Sequence, residues 1–277
     1  MPFIDMRDGT RLFVRDWGGS GKPIVFLSGW ALSSVMWQSQ MLYLSQRGLR
    51  CIAYDRRGHG RSDDPGRGYD YDTLAADLAT VLTRLELSEV TLVAHSMGGS
   101  EVVRYLSRHG AARVARVLLL APVLPFPLKT ASNPDAVDGR LFEQTRAAWL
   151  QDFPRWLEEN GDPYVGTLPP PNAVSAETRA WTKSDMQQTS LQAVVECNRA
   201  IVETDFRQEL RAIDVPTLII QGDRDASMPL ELSGRRAAAL VPGSRLVVYE
   251  QAPHGLYLSH RDRLNRDLAA FVGVSAG

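Results

Sequence analysis

A chain of 277 residues carries 31 Lys and Arg against 32 Asp and Glu, a net charge of −1 with histidines neutral. That balance, with both signs interspersed, excludes the basic face that nucleic acid or an anionic membrane surface selects. The length suits one large domain, or a domain with an insertion, and is ample to bury a core.

Residues 2 to 17 alternate around Asp8-Gly9, a hairpin signal. Pro23 to Leu27 reads as a short apolar strand ending at Ser28-Gly29-Trp30-Ala31. Ser33 or Ser34 caps a helix through Trp37, Met41, Leu42 and Leu44, and Gly48 stops it. Arg50 to Tyr54 is the next strand, followed by the glycine-rich turn from Asp55 to Ser62. Asp72 or Thr73 caps a helix with Leu74, Leu78, Val81, Leu82 and Leu85 on one face.

Val90 to Leu106 carries the chemistry. Val90, Leu92, Val93 and Ala94 form the apolar run of a strand covered on both faces, and Val102, Val103, Tyr105 and Leu106 recur at helical spacing. Between them stands Ser96, flanked by Ala94, Gly98 and Gly99. This is the nucleophile-elbow pattern, with Ala94 in place of the first glycine. It projects a serine oxygen above the sheet edge and puts the Met97 N–H, at a helix start, where an oxyanion develops. A serine here is also a favoured plain helix cap. The strand before it and the two glycines after it favour the elbow.

Alternation continues through a helix to His109-Gly110 and a strand from Val114 to Ala121, then breaks at Pro122. Residues 123–212 hold helical patterns, prolines and aromatics (Phe126, Phe142, Trp149, Phe153, Trp156, Trp181, Phe206) and no convincing strand. Strands resume at Pro216 to Gln221 and Arg245 to Tyr249, with helices near Leu230 to Leu240 and from about 258 to 272. The reading is an α/β fold: a mostly parallel central sheet flanked by helices, with a helical cap inserted after the sixth strand. Residues 1–122 and 213–277 form the core and 123–212 the cap, which leaves the sheet on its ligand-binding side.

A serine nucleophile needs a base, and the base an orienting acid. Of five histidines, His254 stands apart, in Ala252-Pro253-His254-Gly255 just past a strand. His95 points to the opposite side of its strand. His109 closes a helix, His59 sits in a turn, and His260 belongs to the last helix or its first turn. Asp223 and Asp225 both follow the strand before, and the order Ser, Asp, His is that of α/β-hydrolases.

The chain resembles that superfamily and, within it, the cofactor-free haloperoxidase and arylesterase group of bacterial serine esterases. The matching stretches are Asp55-Arg56-Arg57-Gly58-His59-Gly60-Arg61-Ser62, His95-Ser96-Met97-Gly98-Gly99, Glu101 to Tyr105, Glu203 to Arg207, Gly222 to Asp225 with Met228-Pro229, and Ala252 to Gly255. The resemblance implies Ser96 as nucleophile, His254 as base and Asp225 as acid, with the amides of Trp30 and Met97 as oxyanion donors. It implies carboxylic-ester hydrolysis without cofactor or metal. Lactone or lactam opening and peracid formation are alternatives with the same triad; carbon–carbon bond hydrolysis and ligand sensing are more distant ones. Ser28 stands where the group usually has histidine. Ala31 stands where members with efficient peracid chemistry often have proline, which points to hydrolysis as the main activity. The expected partner is a small apolar or aryl ester, or a lactone, with homo-oligomerisation left open. Trp30, Val123, Phe126, Phe142, Trp156, Ile201 and Met228 are the expected substrate-binding residues, with Trp149 and Phe153 as further candidates.

Two distant cysteines, Cys51 and Cys197, give neither a disulfide framework nor a metal site. The start of the chain lacks a basic stretch followed by an apolar one, and no apolar run approaches twenty residues. The expectation is a cytoplasmic protein off the membrane.

Overall fold

A computed structural model describes residues 2–275. Eight strands form one sheet: β1 (Phe3–Asp5), β2 (Arg11–Asp16), β3 (Pro23–Leu27), β4 (Arg50–Tyr54), β5 (Val90–His95), β6 (Val114–Leu120), β7 (Thr217–Gly222) and β8 (Arg245–Tyr249), in the order β1-β2-β4-β3-β5-β6-β7-β8. β1 and β2 are antiparallel, and β2 meets β4 antiparallel. The remaining pairs are parallel.

Strand parity sorts the core into two buried layers. Val25 and Leu27 of β3, with Leu92 and Ala94 of β5, face α2 (Tyr71–Arg84) and α3 (Met97–His109). Ile24, Phe26 and Val93 face the other way, toward α1 (Gln38–Ser45) and, near the chain end, α11 (Arg261–Val272). Helix α2 shows what holds an element here. Leu74, Leu78, Val81 and Leu82 are buried on one face. Burying each such side chain contributes about 1.5–3 kcal/mol, against about 1 kcal/mol for a capping side chain. The cap itself is Asp70, whose carboxylate accepts the Thr73 N–H at 2.9 Å. Asp72 and Thr73, the expected caps, lie inside the first turn. Asp70 wins because its backbone is still extended, as a cap residue requires.

Five helices lie between β6 and β7: α4 (Gly139–Asn160), α5 (Asp162–Val165), α6 (Ala176–Gln187), α7 (Leu191–Glu203) and α8 (Arg207–Arg211). Helix α4 breaks at Asp152, where φ is −163° and ψ 87°, two residues before Pro154. Proline cannot donate to the preceding turn. The Asp152 carboxylate instead caps the Arg155 N–H at 3.0 Å. The break aims Phe153 and Trp156 inward against Trp149. After β7, α9 (Gly234–Leu240) and α10 (Leu256–Ser259) complete the chain with α11. None of the helices among the described residues is long and apolar enough to cross a membrane.

Candidate active site

Ser96 sits between β5 and α3 with φ 53° and ψ −119°, and its side chain caps nothing. A non-glycine residue held there costs on the order of 1–3 kcal/mol, so the turn is kept against a local preference. Gly98 makes the turn fit: a Cβ on it would lie 2.8 Å from the Leu27 carbonyl oxygen and 2.9 Å from that of Ser28. The helix therefore starts in contact with the end of β3.

The chains after β7 and β8 deliver the other two groups. They cross so closely at Gly222 that a Cβ there would lie 1.9 Å from the Ala252 oxygen. Ser96 Oγ donates to His254 Nε2 at 3.0 Å, and His254 Nδ1 donates to Asp225 Oδ2 at 2.8 Å. The Asp225 carboxylate also accepts the Met228 N–H at 2.8 Å and the Gln221 side-chain amide at 3.2 Å. Three donors and complete burial fix both its position and the histidine tautomer. Asp223 is exposed and its own N–H goes to the Tyr249 carbonyl, so geometry separates two aspartates that spacing alone left open.

Neither the Trp30 N–H nor the Met97 N–H makes a backbone hydrogen bond among the described residues. Free amides at a helix start and at the end of a neighbouring strand are what a developing oxyanion requires. Behind Trp30 stands a buried cation. Arg56 donates to the carbonyls of Ser28 at 2.8 Å and Gly29 at 3.3 Å, and its Nε to Glu101 at 2.6 Å. Burial pushes the Glu101 carboxyl up, against the pull of Arg56 beside it. The motif containing Arg56, and Glu101 after the elbow, carried no role in the sequence; the contact between them does.

His95 packs against Trp37 and Tyr257, and it is not a bystander. Its Nε2 donates to the His254 carbonyl at 3.1 Å, with ring centroids 4.8 Å apart. Its Nδ1 has no partner. Burial, and then the nearby His254, hold its pKa well below the ordinary value of 6.5. His95 is thus a neutral donor that fixes the backbone of the histidine loop from beneath. Tyr164 of α5 meets both rings, with centroids 5.4 Å from His254 and 6.3 Å from His95, and its carbonyl accepts the Gly255 N–H. His59 is fully buried, its pKa drawn down to about 3 by burial and by Arg56.

The expected substrate-binding residues divide. Trp30 stacks on Trp149 with centroids 4.6 Å apart and meets Phe153 edge-on at 5.9 Å; Trp156 packs behind Trp149. Met228 is buried beside the Asp225 carboxylate through its own N–H. Phe126 packs under the Arg207 guanidinium, and Ile201 packs against the core layer of α2 and α3. Val123 and Phe142 are half-buried, and Trp181 is exposed. Ser96 and His254 are only 5% and 4% exposed, so both lie below the molecular surface. A separate cleft of about 460 Å³, lined by Arg7, Arg84, Tyr105, His109 and Arg113, lies at the far end of α3 from Ser96.

Ala31 has φ +58°, whereas proline is locked near −65°. A relative with proline here must hold this peptide differently; the exchange is a change of loop conformation and not a local adjustment.

The family model for the alpha/beta hydrolase fold matches residues 22–261. A non-heme haloperoxidase of Rhodococcus erythropolis is 44% identical, covering 98% of this chain and 99% of its own. A bifunctional esterase/perhydrolase of Acinetobacter calcoaceticus is 35% identical over the same shares. Among solved structures, an esterase from Exiguobacterium antarcticum superposes with a TM-score of 0.91 at 32% identity, covering 98% of each chain. With sheet order, elbow and these relatives in agreement, the chain belongs to the alpha/beta hydrolase fold family, in its group of non-heme haloperoxidases and esterases.

Proposed function

We propose that the protein is a serine hydrolase of carboxylic esters, acting through an acyl-enzyme. The observation that carries this is the continuous chain Ser96 Oγ, His254 Nε2, His254 Nδ1, Asp225 Oδ2, with links of 3.0 and 2.8 Å, buried and anchored on a strained elbow. Ser96 Oγ attacks the ester carbonyl while His254 Nε2 takes its proton. Charge on the tetrahedral oxygen is met by the Met97 and Trp30 amides. Collapse breaks the bond to the alcohol oxygen, which receives the proton from His254. Water then attacks the acyl group, again with His254 as base, and releases the acid and Ser96. Asp225 keeps the histidine in the reactive tautomer and offsets its charge.

Residues 123–212 serve as the cap in this reading. The Trp30, Trp149, Phe153 and Trp156 cluster supports a small apolar or aryl substrate, since such surfaces gain about 25 cal/mol per Å² removed from water. Two free, buried cysteines support a reducing, cytoplasmic setting. Peracid formation is the second reading, favoured by the relatives named as haloperoxidase and esterase/perhydrolase. Peroxide would replace water at the acyl-enzyme. The left-handed Ala31 supports hydrolysis as the main outcome. Initial rates on aryl acetates, with and without peroxide, test both readings. Multiple turnover without peroxide is expected. Turnover that requires peroxide would favour the second reading, and none in either condition would overturn both.

A further inference from the structure

The loop from Ser28 to Ser34, which carries the Trp30 N–H, is held from two sides. From the core, Arg56 takes the Ser28 and Gly29 carbonyls, and Asp55 accepts the Ser34 N–H at 2.7 Å. From the inserted segment come four further hydrogen bonds, through three residues. Thr189 Oγ1 donates to the Ala31 carbonyl at 3.0 Å. Asp185 accepts the Ser33 N–H at 3.0 Å and the Ser33 hydroxyl at 2.6 Å. The Trp30 indole N–H donates to the Val194 carbonyl at 2.8 Å.

These contacts bracket the strained residue. Ala31, at φ +58°, lies between Trp30 and Ser33 and is fully buried. An alanine leaves such a conformation readily unless its neighbours over-determine it. Asp185 is buried, and both carboxylate oxygens are spent on this loop. It makes no ion pair among the described residues. A carboxylate taken out of water with no cation beside it is costly, so packing alone does not account for its presence.

We infer that Thr189 and Asp185, both carried by the inserted segment, are positioning residues that lock the Ser28–Ser34 loop so that the Trp30 N–H faces the oxyanion. The cap is then part of the scaffold of the oxyanion site as well as a cover. This rests on the hydrolase reading above, in which Trp30 supplies one of two amides. Neither side chain touches substrate; each acts through the loop. Loss of an oxyanion donor outright costs about 10² to 10³-fold. Loosening its support costs less, about 10 to 100-fold in kcat, with KM little changed because the ground-state carbonyl needs the donor least.

The test is Thr189→Val, which keeps the shape and removes the donor, with Thr189→Ser as its rescue and Asp185→Asn as a second, independent variant. Each is assayed on an aryl acetate and for inhibition by phenylboronic acid, whose boron takes Ser96 Oγ and becomes tetrahedral with a hydroxyl at the oxyanion position. Thr189→Val is expected to lower kcat by about 10 to 100-fold, leave KM within about threefold and weaken phenylboronic acid by a matching factor. Thr189→Ser should recover most of both. If Thr189→Val does not fold, the same split is expected of Asp185→Asn. A folded variant with unchanged kcat, or a fall in kcat with full boronate affinity, overturns the inference alone. A wild-type enzyme that hydrolyses esters but loses nothing in Ser96→Ala overturns the hydrolase reading, and this inference with it.

Discussion

The sheet and the inserted helices contribute to one site by different physics. On the sheet side, Ser96, Asp225 and His254 follow three strands, and side chain bonds to side chain at 3.0 and 2.8 Å. On the helix side the contacts are ring stacking, as in Trp30 on Trp149 at 4.6 Å, and hydrogen bonds to backbone, as in Thr189 to the Ala31 carbonyl. Parallel pairing fixes where each strand ends, and so fixes the reacting atoms. In the proposed reading, the inserted helices set the shape above them and the pose of the Trp30 loop. Damage to the first region should therefore appear as lost chemistry; damage to the ring cluster of the second should appear as lost fit, and damage to its hydrogen bonds on the Trp30 loop as a smaller loss in kcat.

Ser96→Ala is the widest test of that division. Turnover should fall by about 10⁴ to 10⁶-fold, as when a triad nucleophile is removed. Thermal stability should hold, since no core volume is lost. An activity assay with a melting curve checks both.

Asp225→Asn comes next, at about 10⁴-fold in kcat, because an amide favours the wrong histidine tautomer. Asp223→Asn, on an exposed carboxylate two residues away, should change kcat by less than about tenfold. Parallel steady-state kinetics on the two variants would expose a wrong choice of acid as a reversed ranking.

In the helical region Trp149→Ala should behave otherwise. The ring is buried between Trp30 and Trp156. Its loss should cost about 3–5 kcal/mol of stability and raise KM for aryl esters more than it lowers kcat. Urea denaturation and a KM–kcat comparison would detect the reverse, a pure kcat defect, which would contradict a binding role for the ring cluster.

The smallest effect lies beneath the site. The folded-state pKa of His95 lies well below 6.5, so the unfolded chain takes up a proton that the folded one refuses. Its contribution to stability is present above pH 6.5 and is lost as pH falls below it, at up to about 1.4 kcal/mol per pH unit. His59, at about 3, adds a parallel loss over the same range. His95→Gln keeps a side-chain N–H for the His254 carbonyl and cannot titrate. It should retain most activity and reduce proton uptake on unfolding near pH 5 by about one, read from the slope of urea stability against pH.

The sheet region was the more legible of the two in sequence. β3, β4 and β8 begin and end where apolar runs meet Gly, Pro or charge, and the elbow is announced by Ser96 and its small neighbours. The site residues that escaped notice act across long separations. His95 meets the carbonyl of His254, Arg56 meets Glu101, and Thr189 meets Ala31, each pair joined only by the fold. Parity could not show that the His95 ring meets the His254 loop. In the helices, periodicity could not survive the break at Asp152, which re-phases Phe153 and Trp156 relative to Trp149. Phe126 and Ile201, expected to bind substrate, pack on Arg207 and on the α2–α3 core layer.

The most direct measurement of the central claim is the mass of the enzyme quenched during turnover of an aryl ester, followed by peptide mapping. An acyl-enzyme predicts an added mass equal to the acyl group on the peptide containing Ser96. It should be transient in the wild type, absent from Ser96→Ala, and accumulate when deacylation is slowed. An adduct on another residue, or full turnover with no covalent species under any quench, would contradict it.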